Sequence, residues 1–202
     1  IPLYFATSND FEENLTLRRS NAHDIVKEEC RAIRESVALL DITGFSRFEV
    51  TGPNAKLWLN QIFASRLPEC HRVRMAVMLS ETGKLKGDLT LFNWGDGKYW
   101  IMGSYYLRAW HMRWFDQHMQ DGVSVRDLGD EVCGFAVIGP QSRSVIEKVA
   151  EQDISQFSFM ACDQIDIGLI SAHVARLSVT GELGFEINCR MGDHIALRRL
   201  LL

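Results

Sequence analysis

The sequence lacks the glycine fingerprints of phosphate handling. G-x-G-x-x-G, the phosphate-binding loop and G-x-S-x-G are all absent, so nothing in it signals a flavin, a nicotinamide or a hydrolase nucleophile. It lacks basic excess: 22 Lys and Arg stand against 26 Asp and Glu, a net charge of −4, which excludes the electrostatic footprint of nucleic-acid binding. No apolar run reaches membrane-spanning length, and no signal peptide is visible. The five cysteines, Cys30, Cys70, Cys133, Cys162 and Cys189, are odd in number and never form a C-x-x-C pair. That pattern argues against zinc and a disulfide framework and for a reducing compartment. There is no Pro/Ser-rich linker and no low-complexity segment. The chain starts at Ile1 and stops inside the helical pattern "IALRRLLL", which reads as part of a longer polypeptide.

What is present is ordinary globular material, 47% hydrophobic and 24% charged, enough for a sizeable core. After a lead-in over 1–21, the apolar positions Ile25, Val26, Ala32, Ile33 and Val37 predict an amphipathic helix over 22–39. "FSRFEVTGP" alternates as a strand, and Pro53 suits the first turn of a helix continued by "NAKLWLNQIFAS". "RMAVMLS", "GDLTLFNW" and "KYWIMG" read as strands separated by the turns "ETGK" and "GDG". Residues 105–119 read as a helix. "CDQIDIGL" and "AHVARLSVT" are two further strands. An internal repeat stands out: "FEVTGPNAKLWL" (48–59) and "FAVIGPQSRSVI" (135–146) share strand, Gly-Pro and helix with matched apolar positions. The expected fold is therefore α+β. It is built from duplicated strand-GlyPro-helix units with mixed or antiparallel sheets around a central cleft, over about 22–121 and 122–202.

Two places invite chemistry. "SVTGELGFEI" (178–187) sets Glu182 and Glu186 among strand formers, with Gly181 and Gly184 allowing close backbone approach. These carboxylates are either solvated turn charges or partners for a ligand rich in N–H donors. In "GKLKGDLTLFNW", Leu85, Leu89 and Leu91 point one way and Lys84, Lys86, Asp88 and Thr90 the other. Asp88 is a poor strand residue, and Gly87 opens space beside it, so this carboxylate either faces a cleft or is a solvated strand charge. His111 and His118 lie on one face of the 105–119 helix without a carboxylate or cysteine at ligand spacing, and read as packing and surface residues, so no metal is expected. His71 and His173 are lone histidines, and nothing local activates a cysteine.

Taken together, "IRESVALLDITGFSRFEVTGPNAKLWLNQI", "MLSETGKLKGDLTLF", "FAVIGPQSRSVI" and "VTGELGFEI" resemble the tetrahydrofolate-binding aminomethyltransferase family, which includes the glycine cleavage T-protein and the C-terminal domain of dimethylglycine and sarcosine dehydrogenases. "RRSNAHDIVKEECRAIRES" and "YYLRAWHMRWFDQH" look closer to the dimethylglycine dehydrogenase type. The resemblance implies an enzyme of one-carbon transfer, with tetrahydrofolate taking up the carbon of a methylated amine or its iminium product. It implies Asp88 as the catalytic carboxylate and Glu186, with Glu182 beside it, as the group holding the pterin's donor edge. Two cofactor-contacting positions depart from the family: Val179 stands where tyrosine is common and Ser104 where the T-protein has asparagine. A folate-contacting arginine and a final β-barrel would come from sequence after Leu202. Any FAD would belong to a flavin domain or subunit outside this sequence. The implied location is a bacterial cytoplasm or the mitochondrial matrix. Two other readings are a non-catalytic scaffold or regulatory relative, and a demethylase of another methylated substrate, such as a sulfonium compound.

Overall fold

A computed structural model describes residue 8 and residues 10–202; residues 1–7 and 9 of the lead-in lie outside the described residues. The chain opens with α1 (Ala22–Glu35) and β1 (Ala38–Asp41). There follow β2 (Phe45–Thr51), α2 (Ala55–Ile62), β3 (Arg72–Leu79), β4 (Leu85–Asn93), β5 (Tyr99–Ser104), α3 (Arg108–Gln117) and β6 (Ser124–Asp127). The second half repeats the series as β7 (Val132–Ile138), α4 (Ser142–Glu147), β8 (Cys162–Ile167), β9 (Ile170–Ala175), β10 (Gly184–Arg190) and α5 (His194–Leu201).

The strand orders are β3-β4-β5-β2-β6 in the first sheet and β8-β9-β10-β7-β1 in the second. All pairings are antiparallel. Strand for strand these are one unit used twice, and the registers agree: Phe48 faces Ile101 across β2–β5 as Phe135 faces Ile187 across β7–β10. The fifth strand of each sheet is exchanged. β1 precedes β2 in sequence yet pairs with β7, and β6 precedes β7 yet pairs with β2. The exchange is anchored identically on both sides. The Ile42 N–H donates to the Gly134 carbonyl and the Leu128 N–H to the Arg47 carbonyl, both at 2.9 Å. The last residue of each exchanged strand reaches the helix of the sheet it joins: Asp127 accepts from Arg108 Nε at 2.6 Å, and Asp41 lies 3.0 Å from His194 Nε2.

Both Gly-Pro steps lead into helices. Gly52 and Gly139 have φ of +114° and +129°, and a Cβ on either would strike a backbone carbonyl, that of Gly122 or of Ser36. The same two carbonyls accept hydrogen bonds from Asn54 and Gln141, each two residues beyond its glycine. The glycines are thus required twice over, by backbone conformation and by contact. Gly139→Ala is expected to lower unfolding stability by about 2 kcal/mol. Gly181→Ala, at φ +88° with nothing within 4 Å, should cost only the conformational part, about 1 kcal/mol. Chemical denaturation of the two variants separates these cases.

Each sheet buries its own helix-covered face. Phe48, Val50, Leu89, Leu91 and Ile101 pack with Trp58, Leu59 and Phe115 on the first sheet. Phe135, Val137, Val174, Phe185 and Ile187 pack with Ile146, Leu197 and Leu201 on the second. The other faces meet each other, where Val73, Phe92, Trp94, Trp100 and Met102 pack with Cys162 and Ala175.

Several expectations are corrected. The 22–39 helix ends at Glu35, because 38–41 are taken by pairing with β7. The 105–119 helix begins as a 3-10 turn over Tyr105–Leu107 before α3. The strand expected over 172–180 stops at Ala175. Leu85 does not join Leu89 and Leu91 inside: a register shift at Met78/Leu79 leaves Leu85 exposed.

Candidate functional site

The alternation of β4 places Asp88 and Thr90 on the face turned toward the second sheet, with Phe92 of the inter-sheet cluster. Asp88 is exposed and Thr90 half-buried. Thr90 pairs with Met102; two residues along the same ladder, Asp88 comes level with Ser104. Ser104 ends β5 exposed, and its carbonyl accepts from Ser46 Oγ at 3.4 Å.

Glu186 lies on the second sheet, on the face that carries Asn188 and looks toward the first. It pairs with Ala136 and Ala175. It is only 9% exposed, and its Oε2 has no hydrogen-bond partner among the described residues. Burial pushes its carboxyl up to about 7, and the nearby Arg47 charge works in the opposite sense. Arg47 is itself buried. It donates from Nε to Asn188 Oδ1 at 2.8 Å, from Nη1 to the Phe45 carbonyl at 2.8 Å and from Nη2 to the Ile42 carbonyl at 2.9 Å. The duplication explains the room for it. Arg47 is the counterpart of Gly134, and a Cβ on Gly134 would lie 2.7 Å from Asn188 Oδ1 and 3.1 Å from Arg47 Nη2.

Glu49, Trp100, Ser171, His173 and Arg190 line a cleft of about 850 Å³. By strand register their counterparts are Ala136, Glu186, Asp88, Thr90 and Ser104. In that cleft Trp100 stacks on His173 with centroids 4.4 Å apart. The equivalence gives Asp88, Ser104 and Glu186 the strand positions that Ser171, Arg190 and Trp100 hold around that cleft.

It does not bring in the other two candidates. Glu182 sits in the loop before β10, 3.6 Å from Arg34 Nη1 of α1. Val179 is 85% exposed in the same loop. At Gly184 the close approach is made by the chain itself: a Cβ there would lie 2.6 Å from the Leu177 carbonyl. Gly87 likewise makes room for His111, whose Nε2 would be 3.1 Å from an added Cβ. His111 is buried, with burial lowering its pKa. His118, exposed, caps the C-terminal end of α3. The described residues contain no group of three or more His, Cys, Asp or Glu able to hold a metal, and no helix among them is long and apolar enough to cross a membrane.

Duplication with exchanged edge strands defines the class: an α+β domain made of two copies of one unit, with their two sheets packed against each other. The chain belongs to the family of the GCVT N-terminal domain, whose family model matches residues 1–202. It is 26% identical over 199 residues to the mitochondrial dimethylglycine dehydrogenase of Homo sapiens, covering 96% of this chain and 23% of that protein. It is 28% identical over 180 residues to the aminomethyltransferase of Bacillus licheniformis, covering 88% of this chain and 50% of that protein. The chain thus spans about a quarter to a half of the curated relatives it matches. Among solved structures, the glycine cleavage system aminomethyltransferase T from Bartonella henselae shares the fold at TM-score 0.78 and 22% identity, over 87% of this chain and 48% of that one. Heterotetrameric sarcosine oxidase from Corynebacterium sp. U-96 shares it at TM-score 0.66 and 18% identity, over 92% of this chain and 93% of that one.

Proposed function

We propose that this aminomethyltransferase-like domain binds a reduced folate between its two sheets and serves one-carbon transfer from a methylated amine. The observation that carries the reading is Glu186, a buried carboxyl with one oxygen unpartnered. A buried acceptor without a donor is costly, and a ligand edge rich in N–H groups relieves that cost. The pterin edge of tetrahydrofolate has this chemistry, so the residues present fit the group.

Tetrahydrofolate, when bound, supplies the nitrogen that takes up the carbon. The protein's own part is electrostatic and positional. Glu186 accepts from the ligand's donor edge and sets its depth. Arg47, held by three carbonyls and Asn188, favours the charged form of Glu186. Asp88 places negative charge at the mouth, where an iminium-type donor carries positive charge, and attracts it before and during transfer. Ser104 offers a hydroxyl beside Asp88. In this reading residues 22–202 act as one folate-binding unit.

The match to 23% of dimethylglycine dehydrogenase, and the likeness to a subunit of a heterotetrameric sarcosine oxidase, support a place beside a flavin-bearing domain or subunit that generates the donor. Such a pairing belongs in a bacterial cytoplasm or the mitochondrial matrix. Titrating folinic acid into the full-length protein, followed calorimetrically, tests the binding. One saturable site per chain is expected. The absence of heat and of competition by tetrahydrofolate would remove this reading and favour a non-catalytic scaffold.

A further inference from the structure

Cys133 and Cys189 sit opposite each other on adjacent strands, a rung of the β7–β10 ladder. Their sulfurs are 3.5 Å apart, and both side chains are buried. We propose that these two thiols form a redox modification site, oxidised by a hydroperoxide to an intramolecular disulfide between β7 and β10.

The geometry favours closure. Residues directly opposite in an antiparallel pair have Cα atoms about 4.5–5.5 Å apart, inside the roughly 4.4–6.8 Å range of disulfides. From 3.5 Å, bond formation needs the sulfurs to approach by about 1.5 Å. Cys133 is followed by Gly134, which has no side chain to repack as the strands draw in. Access is present on one side: Cys189 lines the cleft of about 850 Å³, wide enough for a small peroxide. The pair is polarised: the Cys133 hydrogen bond and burial push the Cys189 thiol up, leaving Cys133 as the more readily ionised partner. Hydrogen bonding from Cys189, together with the Arg47 charge, lowers the Cys133 pKa. Local sequence shows none of this, because the partners come from β2, β7 and β10.

The chemistry balances with one peroxide. One thiolate of the pair attacks a peroxide oxygen, the O–O bond breaks, and an alcohol or water leaves after protonation. The second thiolate attacks the resulting sulfenic sulfur and expels hydroxide, which leaves as water. Both sulfurs are oxidised by one electron each, and the peroxide is reduced by two. The new bond tightens the rung next to Asn188–Gly134, where Asn188 accepts from Arg47 at 2.8 Å.

Full-length protein treated with hydrogen peroxide, then alkylated and mapped by mass spectrometry, provides the test. The expected product is a peptide pair joined through Cys133 and Cys189, both thiols lost together and recovered with dithiothreitol. Cys162, which burial pushes up to about 12, should stay alkylatable after denaturation. Cys133→Ala should leave Cys189 reduced or singly oxidised, with no crosslinked pair. The proposal is overturned if Cys133 and Cys189 of the wild type remain free while the exposed Cys30 and Cys70 are oxidised, or if they oxidise separately without crosslinking. This readout uses no folate and stands whether or not the cleft binds one.

Discussion

Replacing Asp88 by asparagine is expected to slow one-carbon transfer by about a hundredfold or more, on the scale of removing one preorganised electrostatic partner of a transition state. The substitution keeps shape and removes charge. Asp88 is exposed at the end of β4 that faces the second sheet, so no core contact is lost and the fold should be unchanged. Folate affinity should move little, because the residue that anchors the pterin in this reading is on the other sheet. Amine oxidation at a linked flavin domain should also be unaffected. The measurement is folate-dependent formation of methylene-tetrahydrofolate by the full-length protein, alongside amine oxidation with an artificial electron acceptor. Wild-type transfer by Asp88→Asn would return this carboxylate to the role of a solvated strand charge.

Glu186→Gln acts on binding and on stability with opposite pH dependence. Loss of a charge-assisted contact should weaken folate by about 10- to 100-fold, corresponding to about 1.5–3 kcal/mol. Burial raises the Glu186 carboxyl from 4.5 to about 7, so the folded chain holds this proton more tightly than the unfolded chain does. The stability this group contributes is complete below the unfolded value, and it is lost as pH rises through about 7. The loss amounts to about 3 kcal/mol, at roughly 1.4 kcal/mol per pH unit between the two values. Glu186→Gln has no such proton to lose, so its stability relative to wild type should improve from about pH 5 to about pH 8. Folate binding to the wild type should strengthen over the same rise, since an ionised carboxylate accepts from two donors. The variant should show a flat profile. Denaturant unfolding and calorimetric titration across this range check both, and a wild-type affinity independent of pH would remove Glu186 as the anchor.

Periodicity made the elements legible where one face of a strand or helix is covered by its own unit. Phe48 and Val50 alternate into the α2–α3 side, and Ala55, Trp58, Leu59 and Ile62 follow the helical period. The repeat was readable because Gly52-Pro53 and Gly139-Pro140 solve the same backbone problem twice. The opposite strand faces were not legible. Arg47 falls on the polar side of "FSRFEV", and alternation cannot tell a side chain facing water from one facing a second sheet. Glu186 follows the same logic. Its two neighbouring glycines drew attention to the stretch, but they serve a turn at Gly181 and a crossing by the Leu177 carbonyl at Gly184. The exchanged strands β1 and β6 escaped for another reason. Each has only four residues, and its partner lies in the other unit.

By itself, the sequence determined the duplicated α+β character, the Gly-Pro helix entries and the placing of Asp88 on the strand face opposite Leu89 and Leu91. All three follow from local sterics and from periods of two and 3.6 residues. The resemblance carried by four of its segments led to the family. Tertiary structure alone decided which carboxylate is buried, because Glu186 is covered only when the chain's distant parts pack together. It decided that Glu182 pairs with α1 and leaves the cleft. It also decided that Cys133 meets Cys189 and that Arg47 is held beside Asn188, since both contacts join residues far apart in the chain. The physical reason is common to all of them. Burial and pairing depend on which surfaces meet, and in this protein those surfaces belong to two copies of one unit that exchange their edge strands.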